Sequence, residues 1–271
     1  MSNRIRKTFE NKKKKLVTFT TGGDPDFDTS LKILNTIINN GIDVIEIGMP
    51  FSDPMADGPT IQESSVRSIA SGTKINGVFK IVNKVRTVNN EIPIILMGYY
   101  NSIFNMGIKN FTSNCADAGV DGLIIVDLQP EEDSELYKET KEKNIDLIRL
   151  ITPTTDEGRL KTILNTASGF LYYVTITGIT GQNSANVEHL KKSVLKIKSS
   201  TKLPIVAGFG IKNKKDVEEI SAFTDGVVVG SSIVNIIKNN LNDKNNMITE
   251  IDKFTKDLKK GLKEWIGWQT L

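Results

Sequence analysis

The chain has 271 residues, with 35 basic and 32 acidic side chains and a net charge of +3. A charge this close to balance argues against a protein that binds nucleic acid by neutralising many phosphates. The hydrophobic fraction of 38% is enough for a packed core and excludes a wholly disordered chain. The apolar runs are far shorter than a membrane span, and no secretory signal pattern opens the sequence. We therefore expect a cytoplasmic protein that contacts neither membrane nor nucleic acid.

The chain contains one cysteine, Cys115, and one histidine, His189. A single cysteine excludes an internal disulfide, and one residue of each kind is too few for the usual zinc sites. Cysteine–histidine catalysis would require these two residues to meet in the fold. We therefore expect no bound metal and expect acid–base chemistry to rest on carboxylates, with a possible contribution from a tyrosine. Cys115 is expected in the core and His189 at the surface.

Short apolar runs alternate with segments of helical spacing along the chain. The first residues predict a short helix, and we expect its basic end, residues 12–15, to be solvated. The apolar runs are mostly continuous, which is typical of parallel strands covered on both faces. Helical spacing is clear at residues 31–38, 78–85 and 187–197. The predicted strands are 15–20, 44–48, 93–97, 122–127, 147–151, 170–176, 204–208 and 226–230.

Eight strands separated by helices predict a (β/α)8 TIM barrel, an α/β fold that takes about 250 residues. We therefore expect residues 1–271 to form a single TIM-barrel domain. A doubly wound open sheet is the alternative, but the turn after the first strand reads GGDP (22–25) and lacks the dinucleotide fingerprint. Two loops at the carboxyl ends of strands, 49–60 after the second and 177–186 after the sixth, are unusually long. Such loops carry the chemistry of barrel enzymes.

Glu46 lies in the second predicted strand, inside the apolar run VIEIG (44–48). A carboxyl group buried in a strand is costly unless it is paired or functional. If Glu46 faces the barrel interior, burial raises its pKa towards neutrality and suits it to general acid–base catalysis. The alternative is a structural glutamate that pairs with a lysine at the strand end.

The loop after this strand reads PFSDPMADGP (50–59), in which three prolines and a glycine favour a stiff conformation. It carries Asp53 and Asp57 at the predicted catalytic end of the barrel. A stiff loop holds a carboxylate in place at low entropic cost. The alternative role for one of these aspartates is to cap the following helix.

Glycines end the last two predicted strands, as Gly208 with Gly210 and as Gly230 before Ser231. In many barrels these two loops bind phosphate through backbone N–H groups and a helix N-terminus. Their joint occurrence predicts a phosphorylated ligand, although glycines also occur at ordinary strand exits. The run TGITG (177–181) predicts a lid with hinge positions, with a plain surface loop as the alternative.

Together these features resemble the tryptophan synthase alpha subunit family, from residue 19 to about residue 237. The most specific part of the resemblance is the run EIGMPFSDPMADGPTIQ (46–62). It implies a lyase of tryptophan biosynthesis that cleaves indole-3-glycerol phosphate to indole and glyceraldehyde 3-phosphate, without a metal or an organic cofactor. It also implies a tryptophan synthase beta subunit as partner, in a heterotetramer with two copies of each chain.

The resemblance assigns roles to single residues. Glu46 matches the catalytic acid–base group, and Asp57 matches the carboxylate that hydrogen-bonds the indole N–H. Phe19 matches an aromatic residue that packs on the indole. Tyr172 matches a tyrosine beside the glutamate, although its neighbour Tyr173 is easily confused with it.

Further matches concern the lid, the phosphate and the partner. Thr180 matches a lid threonine that closes onto Asp57, and Asp53 matches a loop residue that signals to the beta subunit. The phosphate cradle matches Gly181, Gly208, Gly210, Gly230 and Ser231. The chain departs from the common pattern at Ser102, Val126 and Gln129, on the face that the family presents to its partner. These departures leave open how the partner would dock.

Three alternatives to this function remain open at the level of sequence. One is a different phosphate-binding barrel, such as a sugar-phosphate isomerase or a thiazole- or thiamin-type synthase. Another is a free-standing indole-3-glycerol-phosphate lyase that works without a beta partner. The third is a non-catalytic activator, which would need neither Glu46 nor Asp57.

Overall fold

The computed structural model describes residues 2–11, 13–174, 184–208 and 210–262, with the backbone alone for 184–186. Within these residues, nine parallel strands form one nearly closed barrel. The strands are β1 (Lys15–Thr21), β2 (Val44–Gly48), β3 (Ile94–Gly98), β4 (Gly122–Ile125), β5 (Asp146–Leu147), β6 (Arg149–Ile151), β7 (Leu171–Val174), β8 (Ile205–Gly208) and β9 (Gly226–Val229). We call the carboxyl ends of these strands the mouth of the barrel and the amino ends its floor.

Twelve α-helices lie within the described residues, and three of them coincide with the segments of helical spacing. The helices are α1 (Asn3–Glu10), α2 (Phe27–Asn39), α3 (Pro59–Ala70), α4 (Ile75–Val88), α5 (Tyr100–Met106), α6 (Ile108–Ala118), α7 (Ser134–Glu142), α8 (Glu157–Thr166), α9 (Ser184–Lys198), α10 (Lys214–Ser221), α11 (Ser231–Asn239) and α12 (Lys244–Lys259). Several begin where an aspartate or asparagine side chain accepts a backbone N–H of the first turn, which satisfies a donor that the helix leaves free. No helix in the described part of the chain is long and apolar enough to cross a membrane.

The predicted TIM barrel is confirmed; its fourth strand ends at Ile125, two residues earlier than predicted, and its fifth strand is divided. The sheet order is β5-β4-β3-β2-β1-β9-β8-β7-β6, so β5 and β6 lie at the two edges. They are two halves of the predicted strand 147–151, separated at Ile148. β5 pairs with β4 and β6 pairs with β7, so the barrel closes through Ile148. The strand is divided because each half forms backbone hydrogen bonds with only one neighbouring strand.

The barrel interior contains a layer of apolar side chains, one from each of the eight strand positions. This layer consists of Val17, Val44, Ile95, Ile124, Ile148, Phe170, Val206 and Val228. Because side chains alternate along a strand, the residue two positions further on also faces the interior, one layer closer to the mouth. That upper layer consists of Phe19, Glu46, Met97, Val126, Leu150, Tyr172, Gly208 and Gly230. The apolar layer thus forms a platform beneath the candidate site residues.

The predicted N-terminal helix is confirmed as α1, which covers the floor. Ile5 is fully buried in the interior cluster, and the ring centroids of Phe9 and Phe170 lie 5.5 Å apart. The expectation of a solvated run at 12–15 was wrong for Lys14 and Lys15, which are 5% and 1% exposed, whereas Lys13 is exposed as expected and Lys12 lies outside the described residues. Only four residues separate the end of α1 at Glu10 from the start of β1 at Lys15, and this short connection brings both side chains beneath the barrel. Burial lowers the pKa of Lys14 to about 8.

Three aspartates at the floor share one arrangement, and we call them the floor aspartates. Each stands just before a strand, accepts a backbone N–H from a neighbouring strand and pairs with a cation. They are Asp43 with Leu16 N–H (2.8 Å) and Lys259, Asp121 with Ile94 N–H (2.9 Å) and Arg86, and Asp225 with Ile205 N–H (2.6 Å) and Lys198. The floor therefore ties neighbouring strands together through buried or half-buried ion pairs.

The remaining sequence expectations have mixed outcomes. Cys115 is fully buried in the core and His189 is exposed, as expected. The long loop after the second strand is confirmed, and it ends where α3 begins at Pro59. The predicted loop 177–186 lies largely outside the described residues, and α9 begins at Ser184, within that range.

Candidate active site

Glu46 lies in the middle of β2 and is 1% exposed. Neither carboxylate oxygen has a hydrogen-bond partner among the described residues, so the alternative of a lysine pair is not supported. Burial raises the pKa of Glu46 to about 8, and the nearby charge of Asp57 contributes in the same direction. The side chain can therefore give and accept a proton near neutral pH.

Asp57 lies in the loop between β2 and α3 and is half-buried. Burial raises the pKa of its carboxyl, and a hydrogen bond from the Tyr99 side chain opposes that rise. The backbone around it is fixed, because Asp57 N–H donates to Pro54 O (3.0 Å) and the Gln62 amide donates to Asp57 O (2.9 Å). The N-cap of α3 is Gly58 and no side chain caps this helix, so neither aspartate plays the capping role.

Tyr99 is a site residue that the sequence analysis missed. It follows directly after β3 at the mouth, is 4% exposed, and accepts a hydrogen bond from Ala56 N–H at 3.0 Å. Its ring stacks on Phe51 with centroids 5.1 Å apart and an angle of 22° between the planes. Its place at the end of a strand was the available signal, but its contacts with the neighbouring loop are not visible in sequence.

Phe19 and Glu46 are register partners on the neighbouring strands β1 and β2. The Phe19 ring fits because two strand-end glycines lack side chains. A Cβ on Gly48 would lie 2.7 Å from the ring, and a Cβ on Gly230 would lie 3.2 Å from Phe19 Cβ. The strand-end glycines therefore make room for an aromatic ring inside the mouth.

Of the two adjacent tyrosines, Tyr172 faces the interior and Tyr173 packs in the outer layer between barrel and helices. The pKa of Tyr172 is raised well above its usual value, first by burial and then by the charges of Glu46 and Asp57. Both carboxyl groups therefore lie near the same phenol. The Tyr172 ring in turn occupies the space beside Gly208, where a Cβ would lie 2.8 Å from it.

A cavity of about 10 Å³ lies at the mouth, and Phe19, Asp57, Met97, Tyr99 and Val126 are among its lining residues. A volume of this size accommodates about one water molecule. The departure at Val126 lies in this lining, whereas Gln129 is an exposed residue of the loop after β4.

The described residues of the predicted phosphate cradle lie at the mouth ends of β8 and β9, and β9 is the neighbour of β1. Gly210 has a φ of +61°, and a Cβ there would contact nothing within 4 Å. α11 begins at Ser231, and the hydroxyl of Ser232 donates to Ile211 O at 2.7 Å, which ties the start of this helix to the loop after β8. The first N–H groups of a helix have no partner within it and attract anions. The structure thus brings the two predicted halves of the cradle together.

The remaining residues singled out in the sequence lie at the edge of the mouth or beyond the described residues. Asp53 is exposed on the loop after β2, where its carboxylate accepts a hydrogen bond from the Ser52 hydroxyl. Ser102 is half-buried in α5. Thr180 and Gly181 lie outside the described residues.

Comparison with known proteins identifies the family. The family model described as tryptophan synthase alpha chain matches residues 5–263. The chain is 43% identical to the tryptophan synthase alpha chain of Zymomonas mobilis over 260 residues, which cover 94% of this chain and 95% of that one. It is 41% identical to the alpha chain of Petrotoga mobilis, covering 95% and 99% of the two chains.

Solved structures agree with this assignment. The crystal structure of tryptophan synthase subunit alpha from Legionella pneumophila superposes with a TM-score of 0.89 at 34% identity, covering 96% of this chain and 98% of the other. The comparisons do not favour the free-standing lyase, and they set aside the other phosphate-binding barrels and the non-catalytic activator. The chain belongs to the tryptophan synthase alpha chain family and is a lyase that cleaves indole-3-glycerol phosphate to indole and glyceraldehyde 3-phosphate.

Proposed function

We propose that Glu46 is the general acid–base group of this reaction and that Asp57 stabilises positive charge on the indole ring. The observation that carries this proposal is the environment of Glu46. It is buried in the upper interior layer of the barrel, both of its oxygens are unpartnered within the described residues, and its pKa is raised to about 8. A buried carboxyl without a partner is costly to retain, which supports a functional role.

The chemistry needs two proton transfers. Glu46 in its protonated form donates to C3 of the indole, which gives an indolenine-like cation. The bond between C3 and the glycerol carbon then breaks as the glycerol hydroxyl returns a proton to the Glu46 carboxylate. Indole leaves as the electron pair of that bond restores the aromatic ring, and the glycerol carbon becomes the aldehyde of glyceraldehyde 3-phosphate.

Asp57 acts on the charge that develops in the first step. A carboxylate near the indole N–H accepts its hydrogen bond and offsets the positive charge on the ring, and this effect is strong in a site with little water. The hydrogen bond from Tyr99 lowers the pKa of Asp57 and so favours the ionised form that this role requires. Phe19 packs on the indole, and Tyr172 lies beside the acid–base group.

We place the phosphate of the substrate at the loop after β8 and the start of α11. Gly208, Gly210, Gly230 and Ser231 would contribute backbone N–H groups or space there, and the helix dipole adds attraction for the anion. Thr180 and Gly181 would complete the site as lid and cradle. The residues 1–271 would act together as one domain.

We also propose that the mouth docks a tryptophan synthase beta subunit, in a complex with two copies of each chain. Two large apolar side chains are exposed on adjoining parts of the rim, Met55 at 86% and Phe104 at 67%. Exposed apolar residues of this size support a protein interface. Asp53 lies two residues before Met55 on the loop that carries Asp57, and it would pass the effect of partner binding on to Asp57.

The acid–base assignment is tested by Glu46→Gln and Asp57→Asn, with release of indole from indole-3-glycerol phosphate as the measurement. Glu46→Gln should lower turnover at least ~10²-fold, because the amide cannot transfer the proton. Asp57→Asn should lose most activity, because an amide does not neutralise the ring charge. Glu142→Gln, which changes an exposed carboxyl on α7, is the matched control. Near-normal turnover in Glu46→Gln would overturn the proposal.

The partner assignment is tested by mixing with a beta subunit. Indole release should rise by about ten-fold or more, which corresponds to about 1.4 kcal/mol. Asp53→Ala should lose much of this rise and keep the weak activity of the chain alone. If the beta subunit activates the wild type and Asp53→Ala equally, Asp53 takes no part in the coupling. If it does not activate the wild type at all, the proposed partner is wrong.

A further inference from the structure

Tyr99 contacts the loop between β2 and α3, here called the catalytic loop, through both its hydroxyl group and its ring. Its hydroxyl meets the segment that carries Asp57, and its ring meets Phe51 at the start of the same loop. We infer that Tyr99 is the positioning residue for Asp57, which fixes the direction of that carboxylate relative to the barrel. This inference rests on the proposed role of Asp57 in stabilising charge on the indole ring.

The hydroxyl of Tyr99 is used in both directions. It accepts a hydrogen bond from Ala56 N–H at 3.0 Å, and Asp57 lines the same small cavity at the mouth, with its carboxyl close enough to raise the pKa of Tyr99. A phenol has a single proton to donate, and acceptance from Ala56 N–H leaves that proton for the neighbouring Asp57 carboxylate. Ala56 directly precedes Asp57 in sequence. The same oxygen therefore fixes the backbone before the carboxylate and the carboxylate itself.

The hydroxyl is a dependable donor. Burial, together with the charge of Asp57, raises the pKa of Tyr99 well above its usual value. The proton therefore stays on the phenol throughout the pH range in which the enzyme works, and the carboxylate stays the acceptor. A carboxylate held in this way keeps its oxygens in one direction without needing a cation, which would cancel the charge that the reaction uses.

The ring of Tyr99 provides the rigid support. Tyr99 follows directly after β3, and Phe51 stacks on its ring with centroids 5.1 Å apart. Other bonds hold the loop independently of Tyr99, since Pro54 O accepts from both Asp57 N–H and the Gln62 amide. Loss of the hydroxyl should therefore leave the loop folded and release only the direction of the carboxylate.

The inference is tested by Tyr99→Phe, which removes the hydroxyl and keeps the stacked ring. The matched control is Tyr100→Phe at the next position, whose ring contacts Phe104 on α5. We expect Tyr99→Phe to lower kcat about ten-fold, the scale of one hydrogen bond to a charged group. KM should change less than about two-fold, because the phosphate anchor is elsewhere. The control should match the wild type.

The pH profile separates positioning from packing. The Tyr99 hydrogen bond lowers the pKa of Asp57, so its removal should move the acid limb of kcat/KM to higher pH. A role in packing alone would lower the melting temperature and leave this limb unchanged. A second variant, Phe51→Leu, removes the stacking and keeps both hydrogen bonds. It should lower kcat about two- to three-fold without moving the limb.

The outcomes distinguish this inference from the function on which it rests. If Asp57→Asn loses activity while Tyr99→Phe keeps the kcat and the acid limb of the wild type, the inference about Tyr99 is overturned and the role of Asp57 stands. If Asp57→Asn is itself nearly as active as the wild type, the proposed role of Asp57 fails first. A ten-fold loss in Tyr99→Phe with a shifted acid limb supports both.

Discussion

The two ends of the barrel treat buried carboxyl groups in opposite ways. At the floor, Asp121 is 2% exposed and interacts with two guanidinium groups, those of Arg86 at 2.6 Å and Arg4 at 3.1 Å. At the mouth, Glu46 is 1% exposed and has no partner among the described residues. Equal burial thus accompanies full pairing at one end and none at the other.

The difference concerns how the fold meets the free-energy cost of burying a carboxyl group. A paired carboxylate keeps its charge and ties strands together, so it serves stability. An unpaired buried carboxyl avoids the cost of its charge by holding a proton, which is why the pKa of Glu46 rises to about 8. The protonated group is then available for transfer. Four measurements test this difference between the floor and the mouth of the barrel.

The largest effect is expected at the floor. Asp121→Ala would leave Arg86 and Arg4 without their shared carboxylate and remove the acceptor of Ile94 N–H. Breaking a buried pair in this way costs about 3–5 kcal/mol of folding free energy. Urea unfolding should show this loss, while turnover per folded molecule stays near that of the wild type. A strong fall in turnover with unchanged stability would mean that the floor also acts on the chemistry.

The next effect concerns Glu46 and pH. The folded state holds its proton up to a pKa of about 8, whereas the unfolded chain releases it near the ordinary value of 4.5. The folded state therefore binds more protons between these values, and its stability falls as the pH rises through them. Between pH 5.5 and 7.5 this contribution is about 2.5 kcal/mol, since each pH unit between the two pKa values corresponds to about 1.4 kcal/mol.

The measurement is urea unfolding of the wild type and Glu46→Gln at the two pH values. The wild type should lose stability relative to the variant as the pH rises, because glutamine has no proton to release. Parallel pH dependence in the two proteins would show that Glu46 is not buried as an unpartnered acid.

Two glycines at opposite ends of β9 test the same difference between the floor and the mouth. A Cβ on Gly226, at the floor end of β9, would lie 2.8 Å from the backbone oxygen of Lys15. Gly226→Ala should therefore cost about 1–3 kcal/mol of stability through overpacking and leave KM unchanged. A Cβ on Gly230, at the mouth end, would meet the side chain of Phe19 at 3.2 Å. Gly230→Ala should raise KM several-fold with a smaller loss of stability. If Gly226→Ala instead raised KM and Gly230→Ala instead lost more stability, the difference between floor and mouth would be contradicted.

The smallest effect is expected at the most exposed of the floor pairs. The side chains of Lys259 and Asp43 are 31% and 22% exposed. An ion pair this accessible contributes about 0.2–1 kcal/mol, and salt weakens it further. Lys259→Met should therefore change the unfolding free energy by no more than that, with less effect at high salt. A loss as large as that of Asp121→Ala would mean that solvent screening does not distinguish the floor aspartates.

Much of the fold was predictable because continuous apolar runs mark parallel strands. The same local pattern singled out Glu46, since one carboxyl inside VIEIG stands out, and alternation along β7 assigns Tyr172 to the interior and Tyr173 to the outer layer. The burial of Lys15 was not predictable, because it depends on how α1 docks under the barrel. Tyr99 was missed for a similar reason, since its contacts join a strand end to a loop some 40 residues earlier.

The sequence motifs also revealed only part of the role of the glycines at the strand ends. Gly208 and Gly230 were predicted from their likeness to phosphate loops, and each also borders an aromatic ring of the interior layer. That second function of the missing side chains arises from neighbouring strands and cannot be seen along one strand. The break at Ile148 is likewise set by pairing on both sides of the fifth strand rather than by its own residues.

The single cysteine has a practical consequence for spectroscopy. Cys115 is fully buried, and burial raises the pKa of its thiol well above the usual value, so it reacts slowly with alkylating reagents. A Met55→Cys variant would place a thiol where the native side chain is 86% exposed, and a maleimide dye would label it selectively. The native chain therefore already provides an almost silent background for fluorescence measurements at the rim of the mouth.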